Sequence, residues 1–234
     1  MVSIILPTFN ESPSIGALIN ELRQELGGRE FEIIVADDGS PDGTADLVEG
    51  LGDPRVRVIR RQGLRGLAVS IRDGILASRG DEIVIMDSDF NHKVAYLPVL
   101  LENLRYYDCV MASRFLYGGG MQEAWRNSAS WIFNIFIRIM TGGNITDCLY
   151  GYVAIKRKTL FVCDFERIFW GYGDYCIRLF YYIQKTKVPI LQIPAQNGAR
   201  RGGSGNRRFF WVLWKYTREV CLLTLRERLG FGRH

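Results

Sequence analysis

The 234-residue chain is 47% hydrophobic and 24% charged, a balance that excludes a disordered polymer and suits one large domain with a full core. Its five cysteines, Cys109, Cys148, Cys163, Cys176 and Cys221, have no C-x-x-C spacing, which argues against a disulfide framework or structural zinc and fits a reducing, cytosolic setting. Two histidines are too few for a three-His metal site and speak against a His-based triad.

From Met1 the chain runs, with no basic region or cleavage site, into a first strand over 2–6, so its start reads as structure rather than as a signal peptide. Apolar runs and turn signals then predict a helix over 13–26, a strand over 31–36, a helix over 44–51, a strand over 56–60 and a helix over 66–78. A strand over 82–86, a helix over 97–104 and a strand over 108–112 follow. This alternation implies an α/β fold, with a central, mostly parallel sheet and helices on both faces. In such sheets ligands bind beyond the carboxyl ends of the strands.

After residue 115 the rhythm changes. A helix over 121–140 carries Trp131, Ile132, Phe133, Ile135, Phe136, Ile137, Ile139 and Met140, leaving a narrow polar stripe through Asn127, Ser130, Asn134 and Arg138. Its apolar core is shorter than the roughly 20 residues a bilayer span requires, so it is expected to be buried or laid against a membrane surface. A strand over 152–156, a helix over 174–184 and a strand over 188–193 lead into the Gly/Arg-rich stretch 197–208. The last helix, 209–229, sets Phe210, Trp211, Trp214, Leu222 and Leu225 against Arg208, Lys215, Arg218, Glu219 and Arg226, an amphipathic pattern suited to an anionic membrane surface, with a packed core helix as the alternative. Residues 197–234 hold nine Arg or Lys against two Glu, so the cationic surface of this +5 chain is C-terminal. No repeat or long linker divides the chain, and 1–234 reads as a single domain.

Three strand ends carry unusual chemistry. The run Ile83-Val84-Ile85-Met86 empties into Asp87-Ser88-Asp89, and carboxylates at i and i+2 can offer oxygen ligands to Mg²⁺ or Mn²⁺ while a diphosphate takes the remaining positions. Asp37-Asp38-Gly39-Ser40-Pro41-Asp42-Gly43-Thr44 serves equally as a turn with a helix cap or as the acidic contact to a base or ribose. In the second case Asp38 is chosen, because strand residues alternate in direction and only one of the pair can face the site. Pro7-Thr8-Phe9-Asn10-Glu11 ends the first strand. Gly63-Leu64-Arg65-Gly66 lacks both the P-loop Lys-Ser/Thr and the dinucleotide Gly pattern. His92 is expected to be a solvated loop histidine rather than a ligand or base.

Leu6-Pro7-Thr8-Phe9-Asn10-Glu11, Ala36-Asp37-Asp38-Gly39-Ser40-Pro41-Asp42-Gly43-Thr44, Gly66-Leu67 with Gly74, and Asp87-Ser88-Asp89-Phe90-Asn91-His92 occur in order. Ala112-Ser113-Arg114-Phe115 with Gly118-Gly119, Asp147-Cys148-Leu149-Tyr150-Gly151-Tyr152 and Arg200-Arg201-Gly202-Gly203-Ser204 continue the series over nearly the whole chain. Together they resemble glycosyltransferase family 2 enzymes of GT-A (Rossmann-like) fold, in the dolichyl- or polyprenyl-phosphate mannose synthase branch.

The resemblance implies inverting transfer of mannose from GDP-mannose to a polyprenyl or dolichyl phosphate, by an enzyme peripheral on the cytoplasmic face of a membrane, with room for an integral-membrane partner subunit. It implies Pro7, Phe9, Glu11, Ala36, Asp38 and Asp87 around the nucleotide. Asp87, Asp89 and Asn91 would hold Mg²⁺ or Mn²⁺, and Asp89, Arg114, Arg126, Arg200 and Arg201 would act on the diphosphate and acceptor phosphate. Where Asn91 stands the family commonly has Gln, where Val153 stands often Arg, and Gly205-Asn206 stand where a Lys is usual. UDP-glucose or another nucleotide sugar is the rival donor. A non-catalytic nucleotide- or nucleic-acid-binding module is the rival class, although no nucleic-acid partner is expected. A processive polysaccharide synthase is disfavoured, because the Gln-x-x-Arg-Trp signature of those enzymes is absent.

Overall fold

Central strands are buried on both faces, and the first two show this: every residue of Val2–Thr8 and of Phe31–Asp37 is buried, with the polar Ser3 and Glu32 hydrogen-bonded to each other. The fold is taken from a computed structural model, in which residues 1–199 and 209–229 are described. β1 (Val2–Thr8), β2 (Phe31–Asp37), β3 (Val56–Arg60), β4 (Glu82–Ile85), β5 (Cys109–Ser113), β6 (Val153–Lys156) and β7 (Ile190–Pro194) form one sheet in the order β3-β2-β1-β4-β6-β5-β7. β1 to β4 are parallel and β7 runs parallel to β5, while β6 inserts antiparallel between β4 and β5.

The helices are α1 (Ile15–Glu25), α2 (Thr44–Glu49), α3 (Leu67–Ala77), α4 (Leu97–Asn103), α5 (Ala124–Thr141), α6 (Arg157–Leu160), α7 (Phe165–Ile168), α8 (Tyr175–Lys185) and α9 (Phe209–Leu229). Successive β1 side chains take opposite faces. Ile4 and Leu6 pack with Leu18 and Leu22 of α1 and Leu97 and Leu100 of α4. Ile5 packs on the other side with Ile71 and Ile75 of α3, Leu179 and Phe180 of α8 and Val220 of α9. Each fully buried Leu or Ile contributes about 1.5–3 kcal/mol of transfer free energy. Gly74 lets α3 approach the sheet, since a Cβ there would sit 2.6 Å from the Ile5 side chain.

The expected elements are present, with α6, α7 and a 3-10 turn at Val94–Tyr96 in addition. Two helices turn part of their polar stripes inward and leave large apolar residues outward. In α5 the polar stripe points partly inward: Asn134 is buried because its Oδ1 accepts the Cys148 N–H at 2.7 Å and its Nδ2 donates to the Ser130 carbonyl at 2.9 Å. Trp125, Trp131, Ile132 and Ile139 are left exposed. In α9, Glu219 is buried 3.7 Å from Arg178 and Lys215 lies 4.0 Å from Asp174, whereas Trp211, Trp214, Leu225 and Leu229 face outward. Buried ion partners on α8 and its N-cap draw the charges in and turn the aromatic positions out. Among the described residues no helix is long and apolar enough to cross a membrane.

Candidate active site

The carboxyl ends of β1, β2 and β4 open onto one cavity of about 460 Å³, lined by Pro7, Thr8, Phe9, Glu11, Asp38, Arg65, Gly66, Leu67, Ser70, Asp87, Ser88, Asp89 and Tyr172. Strand direction decides between the paired aspartates. Asp37, the last residue of β2, is buried and accepts from Thr8 Oγ1 at 3.0 Å and from the Ser40 N–H at 2.9 Å, which makes it the turn's organiser. Asp38 faces the cavity, where it accepts the Gly66 N–H at 2.7 Å and pairs with Arg61. Arg61 also holds Asp73 in the middle of α3 at 2.7 Å, so one buried guanidinium fixes Asp38 relative to that helix.

Asp42 performs the capping part of the same motif, taking the Ser12 N–H at 3.0 Å and the Thr44 N–H at 3.0 Å. Burial raises the Asp42 carboxyl, but the Thr44 hydroxyl, the Ser12 hydroxyl and these two N–H groups together outweigh it and bring the group down to about 2. Thr44 in turn receives the Glu11 N–H at 3.0 Å, placing Glu11 on the cavity wall.

Opposite Asp38 stands the turn after β4. Ser88 Oγ donates to the Pro7 carbonyl at 2.8 Å and staples the ends of β4 and β1 together. Asp89 Oδ1 accepts the Asn91 N–H at 3.0 Å, and Asn91 Nδ2 lies 3.4 Å from Asp87 Oδ2. Phe90, between them, has φ 64°, a left-handed conformation that an aromatic residue rarely takes and that clusters at functional sites. Burial raises the Glu11 carboxyl; the Ser14 hydroxyl lowers it, while Asp89, Asp87 and Asp42 add to the rise. Carboxylates gathered closely enough to add to the rise at Glu11 are a donor set suited to a hard divalent cation. Among the described residues no three His, Cys, Asp or Glu side chains form a group that could hold a metal ion by themselves.

The other named residues are placed differently. Ala36 is fully buried in β2, beneath α3. Arg114 is buried outside the cavity lining, its fork closed on Asp147 with contacts of 2.7 and 2.8 Å, and its guanidinium lies 5.0 Å from the Tyr150 ring centroid. Arg126, in the first turn of α5, pairs with Glu123 at 2.9 Å. Arg200, Arg201 and Arg208 lie outside the described residues. The lining residues not foreseen include Arg65, whose guanidinium sits 4.5 Å from the Phe9 ring centroid, Ser70 and Tyr172. The Gly-rich loop around Arg65 signals flexibility but not that contact, and nothing local marks Tyr172. A second cavity, of about 290 Å³ between α7, α8 and α9, is lined by charges that pair among themselves, including Arg178 with Glu219 and Arg167 with Glu227.

A model of glycosyl transferase family 2 matches residues 3–161. This chain belongs to that family. The transferase is 39% identical over 204 residues to the undecaprenyl-phosphate mannosyltransferase of Micrococcus luteus, covering 82% of each chain. It is 35% identical to the dolichol-phosphate mannosyltransferase of Pyrococcus furiosus over 95% of its own length and 63% of that protein's. Among solved structures, glucosyl-3-phosphoglycerate synthase of Mycobacterium tuberculosis, crystallised with Mn²⁺, UDP and phosphoglyceric acid, superposes with a TM-score of 0.71 at 21% identity. That match covers 98% of the transferase and 78% of the other chain. The shared architecture is the GT-A fold expected from the motifs.

Proposed function

We propose that the transferase moves mannose from GDP-mannose to a polyprenyl or dolichyl phosphate. The observation that carries this reading is the meeting of Asp38 and the Asp87–Asp89 turn across one cavity, in a chain that keeps 39% identity to an undecaprenyl-phosphate mannosyltransferase. Asp38 is set to accept from the base, and Pro7, Phe9 and Glu11 complete that wall. Guanine offers a carboxylate two adjacent donors and uracil one, which favours GDP over UDP. Asp87 and Asp89, with the Asn91 amide, would hold Mg²⁺ or Mn²⁺, which neutralises charge on the diphosphate.

A lipid phosphate is anionic at neutral pH and attacks the anomeric carbon directly. A phosphate oxygen–C1 bond forms as the C1–oxygen bond to the nucleoside diphosphate breaks, inverting the centre and requiring no general base. Arg126, Arg200 and Arg201 are assigned to the acceptor and diphosphate, since a guanidinium fork matches phosphate bidentately. Arg114, tied to Asp147, is assigned the support of that region.

The acceptor's lipid tail places the reaction at a membrane. The outward Trp125, Trp131, Ile132 and Ile139 of α5, and Trp211, Trp214, Leu225 and Leu229 of α9, supply an aromatic and aliphatic face on two helices that pack together. Trp favours the headgroup zone, and Arg218 and Arg228 beside it suit anionic lipid. We assign the protein to the cytoplasmic leaflet as a peripheral enzyme, with an integral-membrane partner able to dock there. Family membership sets aside the non-catalytic alternative.

The test is incubation with radiolabelled GDP-mannose or UDP-glucose, Mg²⁺ or Mn²⁺, and a polyprenyl phosphate, followed by lipid extraction. Label from GDP-mannose in the organic phase is expected. Label only from UDP-glucose would replace the donor, and none from either would remove the acceptor.

A further inference from the structure

His92 is buried, contrary to its expected place in a solvated loop, and it stands directly behind the Asp87–Asp89 turn. Its Nδ1 accepts the backbone N–H of Asp87 at 2.9 Å, and its Nε2 lies 2.7 Å from the Tyr150 carbonyl oxygen. A ring nitrogen that accepts a hydrogen bond carries no proton, so the hydrogen is on Nε2 and is donated to that carbonyl. Tyr152 stacks on the imidazole with centroids 4.9 Å apart, and Tyr150 meets it edge-on at 4.5 Å. Nε2 also lies 3.5 Å from Asp87 Oδ2, so the ring touches both the backbone and the carboxylate of that residue.

The far end of the same turn is held as firmly. The Asn91 carbonyl accepts the Gly198 N–H at 2.9 Å and the Tyr150 hydroxyl at 3.3 Å. Between these two anchors lies Phe90, in a left-handed conformation that persists only where its surroundings impose it. Tyr150 therefore touches the turn through His92 and through Asn91, and its ring lies under the Arg114 guanidinium.

We propose that His92 is a positioning residue for the metal-binding turn, and that Tyr150 links this turn to Arg114. His92 clamps the amide of Asp87 while Tyr150 and Gly198 clamp the carbonyl of Asn91, so the side chains of Asp87, Asp89 and Asn91 are presented together despite the unfavourable backbone between them. The inference rests on the reading of these three residues as the cation site. A histidine buried only to fill the core would affect stability and leave cation affinity alone.

The experiment measures Mn²⁺ binding by the electron paramagnetic resonance signal of the free ion, together with thermal melting, for the full-length wild type and for His92→Phe, His92→Asn, Tyr150→Phe and Asp89→Asn. Loss of a group that orients a metal ligand lowers metal affinity about 10–100-fold, and His92→Phe is expected to fall in that range. His92→Asn, whose side-chain oxygen can accept the Asp87 N–H, is expected to return to within about threefold of wild type. Folded His92→Phe with wild-type affinity overturns the proposal and leaves the cation site standing. Failure of His92→Asn to recover affinity overturns it as well, because packing rather than the hydrogen bond would then be responsible. Should His92→Phe not fold, His92→Leu, which equally lacks an acceptor, decides in its place, and Tyr150→Phe decides the Asn91 end of the clamp: weakened Mn²⁺ binding supports each contact, and unchanged binding removes it. Equal binding by wild type and Asp89→Asn would remove the cation site itself, and the proposal with it.

Discussion

Gly198 donates its backbone N–H to the carbonyl of Asn91 at 2.9 Å, which ties the segment after β7 to the turn carrying Asp87 and Asp89. A Cβ at position 198 would overlap the carbonyl oxygen of Phe90. Backbone atoms cannot swing aside as a side chain can, so Gly198→Ala must push the segment off the turn, at an overpacking cost of about 1–3 kcal/mol. We expect a folded variant that melts a few degrees lower and has lost most of its transfer activity. Wild-type melting and turnover would show that the segment is free to move away.

The Asp38 carboxylate and Arg61 form a second constraint, both side chains being largely buried, at 11% and 7% exposure. Removing one member of a buried pair costs about 3–5 kcal/mol, and because Arg61 retains Asp73 the lower end applies to Asp38→Ala. The expected result is a large rise in donor KM together with reduced stability, whereas Arg61→Ala should mainly reduce stability. If Asp38→Ala leaves donor KM unchanged, Asp38 does not contact the nucleotide.

Asp42 gives the fold an acid-sensitive point. Its folded-state value of about 2 lies below the ordinary 3.8, so its contribution to stability is complete above the ordinary value and is lost as pH falls through about 2. Asp42→Asn should melt below wild type at pH 7, by less than about 1 kcal/mol because solvent screens this exposed group. The two melting curves should converge as the pH approaches 2. A gap that persists there would assign the effect to shape rather than charge.

The alternation of strands and helices was legible because burial imposes a local period on each element. The insertion of β6 between β4 and β5 was not, since antiparallel pairing there is settled by partners far along the chain. His92 illustrates the same limit: its hydrogen-bond acceptor is 58 residues away, and no neighbouring residue announces it. Asp38 was legible because alternation along one strand end is a local rule. Asn134 misled for the opposite reason, a polar side chain whose needs are met inside the protein by Cys148 and Ser130.

Arg200 and Arg201 are proposed to contact the acceptor phosphate. Each charge-assisted contact to phosphate is worth about 1.5–3 kcal/mol, so replacing both by Ala should reduce acceptor use by well over tenfold while leaving donor binding nearly intact. Separate titrations of donor and polyprenyl phosphate check this. Equal losses for the two would place the pair at the diphosphate instead.

The outward face of α5 and α9 predicts membrane attachment, and the structure dictates how to test it. Deleting α9 would also remove Val220 and Leu223 from the core and Glu219 from Arg178, so a truncation would confound binding with folding. The side chains of Trp211, Trp214 and Leu225 are half-exposed or more, and polar replacements there spare the core. Trp211→Ser/Trp214→Ser/Leu225→Ser should melt like wild type, yet fail to sediment with anionic liposomes. Basic side chains near such a surface contribute roughly 1 kcal/mol each and are screened by salt, so wild-type sedimentation should decline as ionic strength rises. Sedimentation of the triple variant at the wild-type level would transfer the contact to Trp125, Trp131, Ile132 and Ile139 of α5, where a matching set of polar replacements should then abolish it.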